Sequence, residues 1–446
     1  MFRRIAAGGL FASMTIGLAL AQDTGLPSDS DGPQDTAPMD SMLPSDTDTG
    51  ATDDTAMPLE DTAEDADTGE VDDTGEVDDT GDTGDTGEVD DCEGLGLFVG
   101  DLVFSSQKAL DAFGLDYDRV QGDLRVVGGE IQDLSALACL TEIQGDFTLS
   151  AQGEQVDLSR LARVDGAVRV LQTPLATLDL PALVTAQTLE IEDNPALAKL
   201  SAPLLSTRGV VLSQMPRLVS VELPLQALPE GLMLVKTGLA KPPAALVADR
   251  IVLEDNPKLN SVKPLREVSA TDELVVTGNP RLKNLDLPEL AVVKGELFVR
   301  DNGLTDLSGL SALVSAGNLS VLDHAAMTSL SLPALVVSGE LRLERNASLV
   351  RIDATELTRL KTLVVKECPS FVTFDVPSLL RSSVELRGLR SLQRLDGLAL
   401  LVADEVTLNG NSSLKDVSAL NDVRIGTLTA ENNKKLKESD LAPLRP

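Results

Sequence analysis

The chain of 446 residues has no Trp, one Tyr, one His and three Cys. So few aromatics leave little with which to grip sugar rings or stack bases. One imidazole, His324, and three dispersed thiols show no metal-ligand spacing, and no partner set for nucleophilic catalysis gathers around His324. Residues 22–91 contain no Lys or Arg against 25 Asp and Glu. The net charge of −34 is therefore concentrated at one end, since residues 92–446 carry 46 acids and 35 bases, a net −11. A nucleic-acid ligand would need a basic stripe to neutralise phosphates, and none is present. Beyond the first 21 residues, no apolar run approaches the roughly 20 residues needed to cross a bilayer.

Residues 1–21 open with Arg3 and Arg4, continue through small and aliphatic residues, and close on Ala19-Leu20-Ala21. This reads as a secretory signal cut after Ala21, which places the mature protein outside the cytoplasm, whether secreted, periplasmic or cell-surface. Residues 22–91 hold Asp, Thr, Gly, Ser, Pro and Glu with few aliphatics, a composition expected to stay disordered as an extended linker. Asp-Thr-Gly occurs seven times there, at Asp23, Asp48, Asp67, Asp73, Asp79, Asp82 and Asp85. An aspartic protease needs two such triplets held in rigid apolar loops, which this tract does not offer. Asp29-Ser30-Asp31-Gly32 and Asp46-Thr47-Asp48-Thr49-Gly50 start like calcium loops but lack the downstream bidentate Glu.

From residue 122 to the C-terminus the chain repeats. The first apolar residues of successive coils are Leu124, Phe147, Val168, Leu189, Val210, Leu232, Ile251, Leu274, Leu297, Leu319, Leu341, Leu363, Val384, Val406 and Leu428, at spacings of 19 to 23. A period of this size predicts a mainly β, parallel β-solenoid of about fifteen coils, each burying its apolar side against its neighbours. We number each coil from that residue. Positions 0 and +2 are apolar in strand alternation. Position +5 is Asn at Asn194, Asn256, Asn279, Asn302, Asn346, Asn411 and Asn433, a column predicted to satisfy turn backbone from coil to coil. His324 and Cys368 take that place in their coils, the first as an Asn substitute and the second as a free buried thiol. Pro recurs near +14, at Pro203, Pro224, Pro288, Pro333 and Pro377, where the chain leaves the ladder.

Residues 92–121 read as an N-terminal cap, because a solenoid must cover the end of its core. Leu97 to Phe104 predicts a short strand, and Ser105 predicts the N-cap of a helix over 106–113 with Leu110 and Phe113 on one face. Four of the eight aromatics that follow the linker, Phe98, Phe104, Phe113 and Tyr117, fall in this unit. In an exported chain, a Cys92–Cys139 disulfide is expected, closing about 48 residues.

Gly122-Asp123-Leu124-Arg125-Val126, Gly145-Asp146-Phe147-Thr148-Leu149, Gly295-Glu296-Leu297-Phe298-Val299 and Gly339-Glu340-Leu341-Arg342-Leu343, with the helix-bearing cap before them, resemble the receptor L domain, a β-helix cousin of the leucine-rich repeat. The resemblance covers about residues 92–446 and implies binding or adhesion outside the cytoplasm; from the residues themselves no catalysis and no cofactor are expected. No cysteine-rich module or cytoplasmic domain accompanies it, so receptor signalling is not implied. The linker is similar in composition to those of exported delta-type bacterial proteins.

Function then belongs where the repeat varies. Position +1, on the outward side of the first strand, reads Arg125, Thr148, Arg169, Glu190, then Val211, Met233, Val252, Val275 and Phe298, then Ser320 and Arg342. Five successive apolar residues at about 4.8 Å per strand would make a stripe roughly 20 Å long. It is a candidate binding face for a protein or glycan ligand or for self-association, unless a loop covers it. The competing classes are a structural envelope or matrix protein with no discrete ligand and a carbohydrate-active β-helix enzyme. Sequons at Asn318, Asn346 and Asn411 have meaning only in a eukaryotic secretory pathway. The export reading predicts that the mature chain begins at Gln22. Intact-mass analysis of exported protein checks this, and retention of residues 1–21 would refute it.

Overall fold

The structure, a computed structural model, describes residues 92–444. The signal, the acidic linker with its Asp-Thr-Gly and calcium-like stretches, and the last two residues lie outside the described residues. The described chain is a parallel β-solenoid with coils about 22 residues apart and very little helix. Its main feature is one long parallel sheet, with a strand from the cap (Leu102–Phe104) and one from each of the fifteen coils, ending at Arg424–Glu431. Positions 0 and +2 face inward, and all of them from Leu124 to Leu408 are buried. Leu428 and Ala430 in the final strand are only partly buried.

The Asn column is continuous with this sheet. In each rung the Asn Oδ1 accepts the N–H of the +5 residue one coil earlier, as from Asn279 to Asn256 (3.1 Å), Asn302 to Asn279 (3.0 Å) and Asn411 to Leu389 (2.9 Å). The amide nitrogen donates back to the +2 carbonyl of the earlier coil, Asn279 to Leu253 (2.9 Å) and Asn302 to Val276 (2.8 Å). The column thus pairs backbone groups that the turn takes out of the ladder. The residue just before it has a positive φ in thirteen consecutive coils, from Gln172 (56°) through Asp255 (52°) and Glu367 (51°) to Asn432 (58°), with Gly at only three of those places, Gly278, Gly388 and Gly410. A left-handed residue with a Cβ costs about 1–2 kcal/mol. The turn is retained because it aims the next side chain into the ladder.

A further ladder tightens the first coils. Asp101, Asp123 and Asp146, at position −1, accept the N–H groups of Asp123, Asp146 and Ala167, each at 2.9 Å. Glycine precedes each of these carboxylates, at Gly100 for its φ of 124° and at the next two because no Cβ fits: one on Gly122 would sit 2.4 Å from the Gly100 carbonyl oxygen, and one on Gly145 would sit 2.5 Å from that of Gly122.

The remaining side alternates between short strands, such as Thr177–Asp179, Lys199–Ser201 and Ser220–Glu222, and one-turn 3-10 helices, such as Ser135–Leu137 and Ser308–Leu310. Three of the helices follow Asp-x-Ser, in which Asp133, Asp306 and Asp416 accept the N–H two residues on; at Lys263–Leu265 the Ser261 hydroxyl takes that part. Pro203, Pro288, Pro333 and Pro377 each occupy the second place of a β-turn closed by the N–H of Leu205, Leu290, Leu335 and Leu379.

The cap differs from expectation in three details. The Leu97–Phe104 stretch forms two strands, Gly96–Val99 and Leu102–Phe104, because Gly100 turns the chain at φ 124°. The cap therefore adds a rung of its own. The helix runs Gln107–Gly114 with Ser106, not Ser105, at its N-cap, and that side chain makes no capping bond. Leu110 and Phe113 are buried as the pattern requires, and Phe113 lies 5.2 Å from Phe104 and 5.8 Å from Tyr117 between ring centroids. Cys92 and Cys139 are joined, with Cα atoms 5.3 Å apart, tying the cap to the second coil's approach.

Asn279→Ala leaves the buried Asn256 N–H without its acceptor and takes the amide donor away from the Leu253 and Thr277 carbonyls. At about 1–3 kcal/mol for each orphaned group, urea denaturation should show a loss of about 3–5 kcal/mol. A loss under about 1 kcal/mol would show that the column does not carry the turn.

Candidate binding face

The long sheet brings all five candidate residues together. Val211 pairs with Met233, Met233 with Val252, Val252 with Val275 and Val275 with Phe298, so they stand on consecutive rungs of one column. Pointing away from the core, they join none of its packed cluster. Their exposure is lower than an open stripe would give: four are half-buried, and Val252 at the centre is only 4% exposed. Neighbouring strands stand about 4.8 Å apart, so aliphatic side chains in one column cover one another. The Arg250 guanidinium also reaches over Met233, with Nη1 3.9 Å from Sδ. The result is a shallow apolar seam flush with its surroundings.

Either side of the seam the column is polar and braced. Arg169 bridges Asp146 (2.5 Å) and Glu190 (2.7 Å) across three coils. Burial pushes the Asp146 carboxyl up, but Arg169 and the Ala167 N–H outweigh it and hold it below the ordinary carboxylate range. On the other side Arg342 reaches Glu344 at 2.6 Å. Flanking the seam at position −1 are Gly209, Gly231, Arg250, Glu273 and Glu296, and at +3 Ser213, Val235, Glu254, Thr277 and Arg300. Arg250 pairs with Glu273 (2.5 Å) and Arg300 with Asp323 (2.9 Å). Glu296 has acidic neighbours; burial first, then Glu273 and Glu340, raise its carboxyl above the usual range.

A second concavity, about 940 Å³, lies ahead of the long-sheet strands in the third to sixth coils and is lined by Arg163, Thr185, Gln187, Ser206, Arg208 and Pro229 among others. It forms where Ala186 and Thr207 point inward in place of the larger Val164 and Leu228 of the flanking coils. Its arginines are already matched, Arg163 to Asp165 (2.6 Å) and Arg208 to Glu230 (2.8 Å).

With this geometry in hand, comparison of the chain with protein-family models and with curated proteins finds no match to either. Among the described residues, no group of three or more His, Cys, Asp and Glu is placed to hold a metal. Cys368 is buried, and burial pushes its thiol up to about 11, which removes its nucleophile at neutral pH. All seven column Asn residues lie in the ladder, so the Asn346 and Asn411 sequons are interior positions; Asn318 lies exposed on the long sheet.

The patterns that sequence reasoning missed are the Asp101–Asp123–Asp146 ladder and the left-handed residue at +4. Repeated Gly-Asp pairs one coil apart signalled the first. The second had a weak one, Gly, Asp or Asn in eight of thirteen coils, diluted by Gln, Lys, Arg and Glu in the other five.

His324 occupies the Asn column as expected and is wholly buried, its own N–H donating to Asn346 Oδ1 at 2.9 Å. It does not reproduce the Asn chemistry, since neither ring nitrogen has a hydrogen-bond partner. Burial lowers its pKa to about 4, against upward pulls led by neighbouring Asn346, then Asp301 and Asp323. A folded-state value below the unfolded value of about 6.5 means the folded state binds its proton later. Stability is intact above about pH 6.5 and falls as pH drops toward 4. His324→Asn restores the amide and removes this titration. It should raise stability at pH 7 by about 1–3 kcal/mol and flatten the loss between pH 6.5 and 4. Denaturation of both proteins across that range checks it; parallel curves would contradict the assignment.

Proposed function

We propose that this is an exported, non-enzymatic binding or adhesion protein whose solenoid presents the Val211–Phe298 seam to a ligand. The reading is supported by one observation above the rest: five consecutive rungs turn apolar on an outer face that is polar on both sides. Positions 0, +2 and +5 explain the fold, but nothing in the fold requires these five to be apolar. The likeness of residues 92–446 to the receptor L domain supports the same reading, with the acidic segment acting as a spacer on the exported chain. A structural envelope protein is the competing reading, and it assigns no discrete ligand to the seam.

Saturable capture of a protein or glycan, lost in Met233→Lys/Val252→Lys while the variant's denaturation curve stays cooperative, is the expected outcome on glycan arrays and in pull-downs from the native surroundings. Ligand capture unchanged by the double substitution would overturn the seam as the ligand face, and absence of any saturable ligand would favour the structural reading.

A further inference from the structure

The columns beside the seam are not symmetric, and their asymmetry is self-complementary. Consider two copies placed seam to seam, related by a two-fold axis running along the stack of coils. Each coil then faces the same coil of the other copy, and because the strands reverse, position −1 of one copy faces position +3 of the other. In the Ile251 coil this sets Arg250 against the other copy's Glu254. In the Leu297 coil it sets Glu296 against Arg300. In the Leu232 and Val210 coils, Gly231 and Gly209 present no side chain and leave room for Val235 and Ser213. Along the centre, Val211, Met233, Val252, Val275 and Phe298 each meet their own counterpart. Among the described residues no cation lies within ion-pair distance of Glu254 or Glu296 in the single chain, and Glu296 is held protonated more readily by burial and by acidic neighbours. Each of these two carboxylates gains a guanidinium in the pair. The other face-to-face arrangement, with the axis along the strands, sets Arg250 against Arg250 and Glu296 against bare Gly209.

We infer that the seam is a self-association face on which a second copy of this chain docks sheet to sheet, with its coils in step. This rests on the reading of the seam as a contact face and names the partner. Aligned packing of two sheets about 10 Å apart is the ordinary way for such faces to meet. Three columns over five strands cover about 20 by 13 Å, roughly 250 Å² per copy, well under a stable interface. The pair is therefore weak, with Kd in the micromolar range or above, and forms where copies are concentrated, as at a surface.

Sedimentation of the full chain from about 1 to 500 µM should show a reversible monomer–dimer equilibrium. Met233→Lys should abolish it. Glu296→Arg should weaken it at least tenfold, and adding Arg300→Glu should recover most of the loss, because the two sites face each other across the axis. Under mild oxidation, Val275→Cys should form a covalent dimer, since in-step coils bring Val275 to its own counterpart. A monomer throughout the range, a dimer indifferent to Met233→Lys, or cross-linking by Val252→Cys but not by Val275→Cys would each overturn the proposal. If Met233→Lys/Val252→Lys abolishes capture of another ligand while the chain stays monomeric, self-association fails and the seam survives as a ligand face. If the dimer forms and ligand capture ignores the seam, the ligand-face reading fails alone.

Discussion

The turn after each long-sheet strand takes backbone N–H and carbonyl groups out of the parallel ladder and buries them, and the structure depends on pairing them again. In seven of the fifteen coils one Asn side chain does this by accepting from the coil before and donating back to it. Other features follow. The residue ahead must turn left-handed to aim the Asn inward, even where it carries a Cβ. Neighbouring coils must keep their register to within a hydrogen bond, which holds the fourteen coil spacings to a narrow range. Where the amide is replaced, the consequence is local: His324 leaves two ring nitrogens bare, and Cys368 offers only a thiol 3.3 Å from the Lys366 carbonyl.

That dependence separates what can be read from sequence. The period, the apolar 0 and +2 positions and the Asn column recur fifteen, fourteen or seven times, so the chain states them redundantly. The Cys92–Cys139 bridge and the aromatic cap were legible because so few residues of those types compete for the roles. Backbone conformation was legible only weakly. The left-handed +4 site is Gly, Asp or Asn in eight of thirteen coils and Gln, Lys, Arg or Glu in the other five, where the ladder behind it, rather than the residue in it, fixes its conformation. The split of the cap strand at Gly100 and the one-residue shift of the helix cap are local geometry that no repeat reinforces.

The candidate face was legible as a row and not as a surface. Alternation alone places Val211, Met233, Val252, Val275 and Phe298 outward on adjacent strands. It cannot report that strands this close let aliphatic neighbours cover one another, nor that Arg250 would lie over Met233. Burial of Val252 to 4% and the unpaired carboxylates Glu254 and Glu296 on the flanks appear only when the rungs are stacked. The seam is therefore less open than the sequence suggests, and more specific, because its two borders carry different charges.

The Asn ladder offers its own control. Thr237, Asn256, Asn279 and Leu389 each donate a backbone N–H to an Asn one coil on. Asn194 and Asn302 face Met215 and His324 instead, and neither N–H has an Asn acceptor. Residue-resolved amide hydrogen exchange tests the account directly. It predicts slow exchange at Thr237, Asn256, Asn279 and Leu389, and faster exchange by at least tenfold at Asn194 and Asn302. Uniform protection along the column, regardless of which residue occupies the next rung, would contradict it.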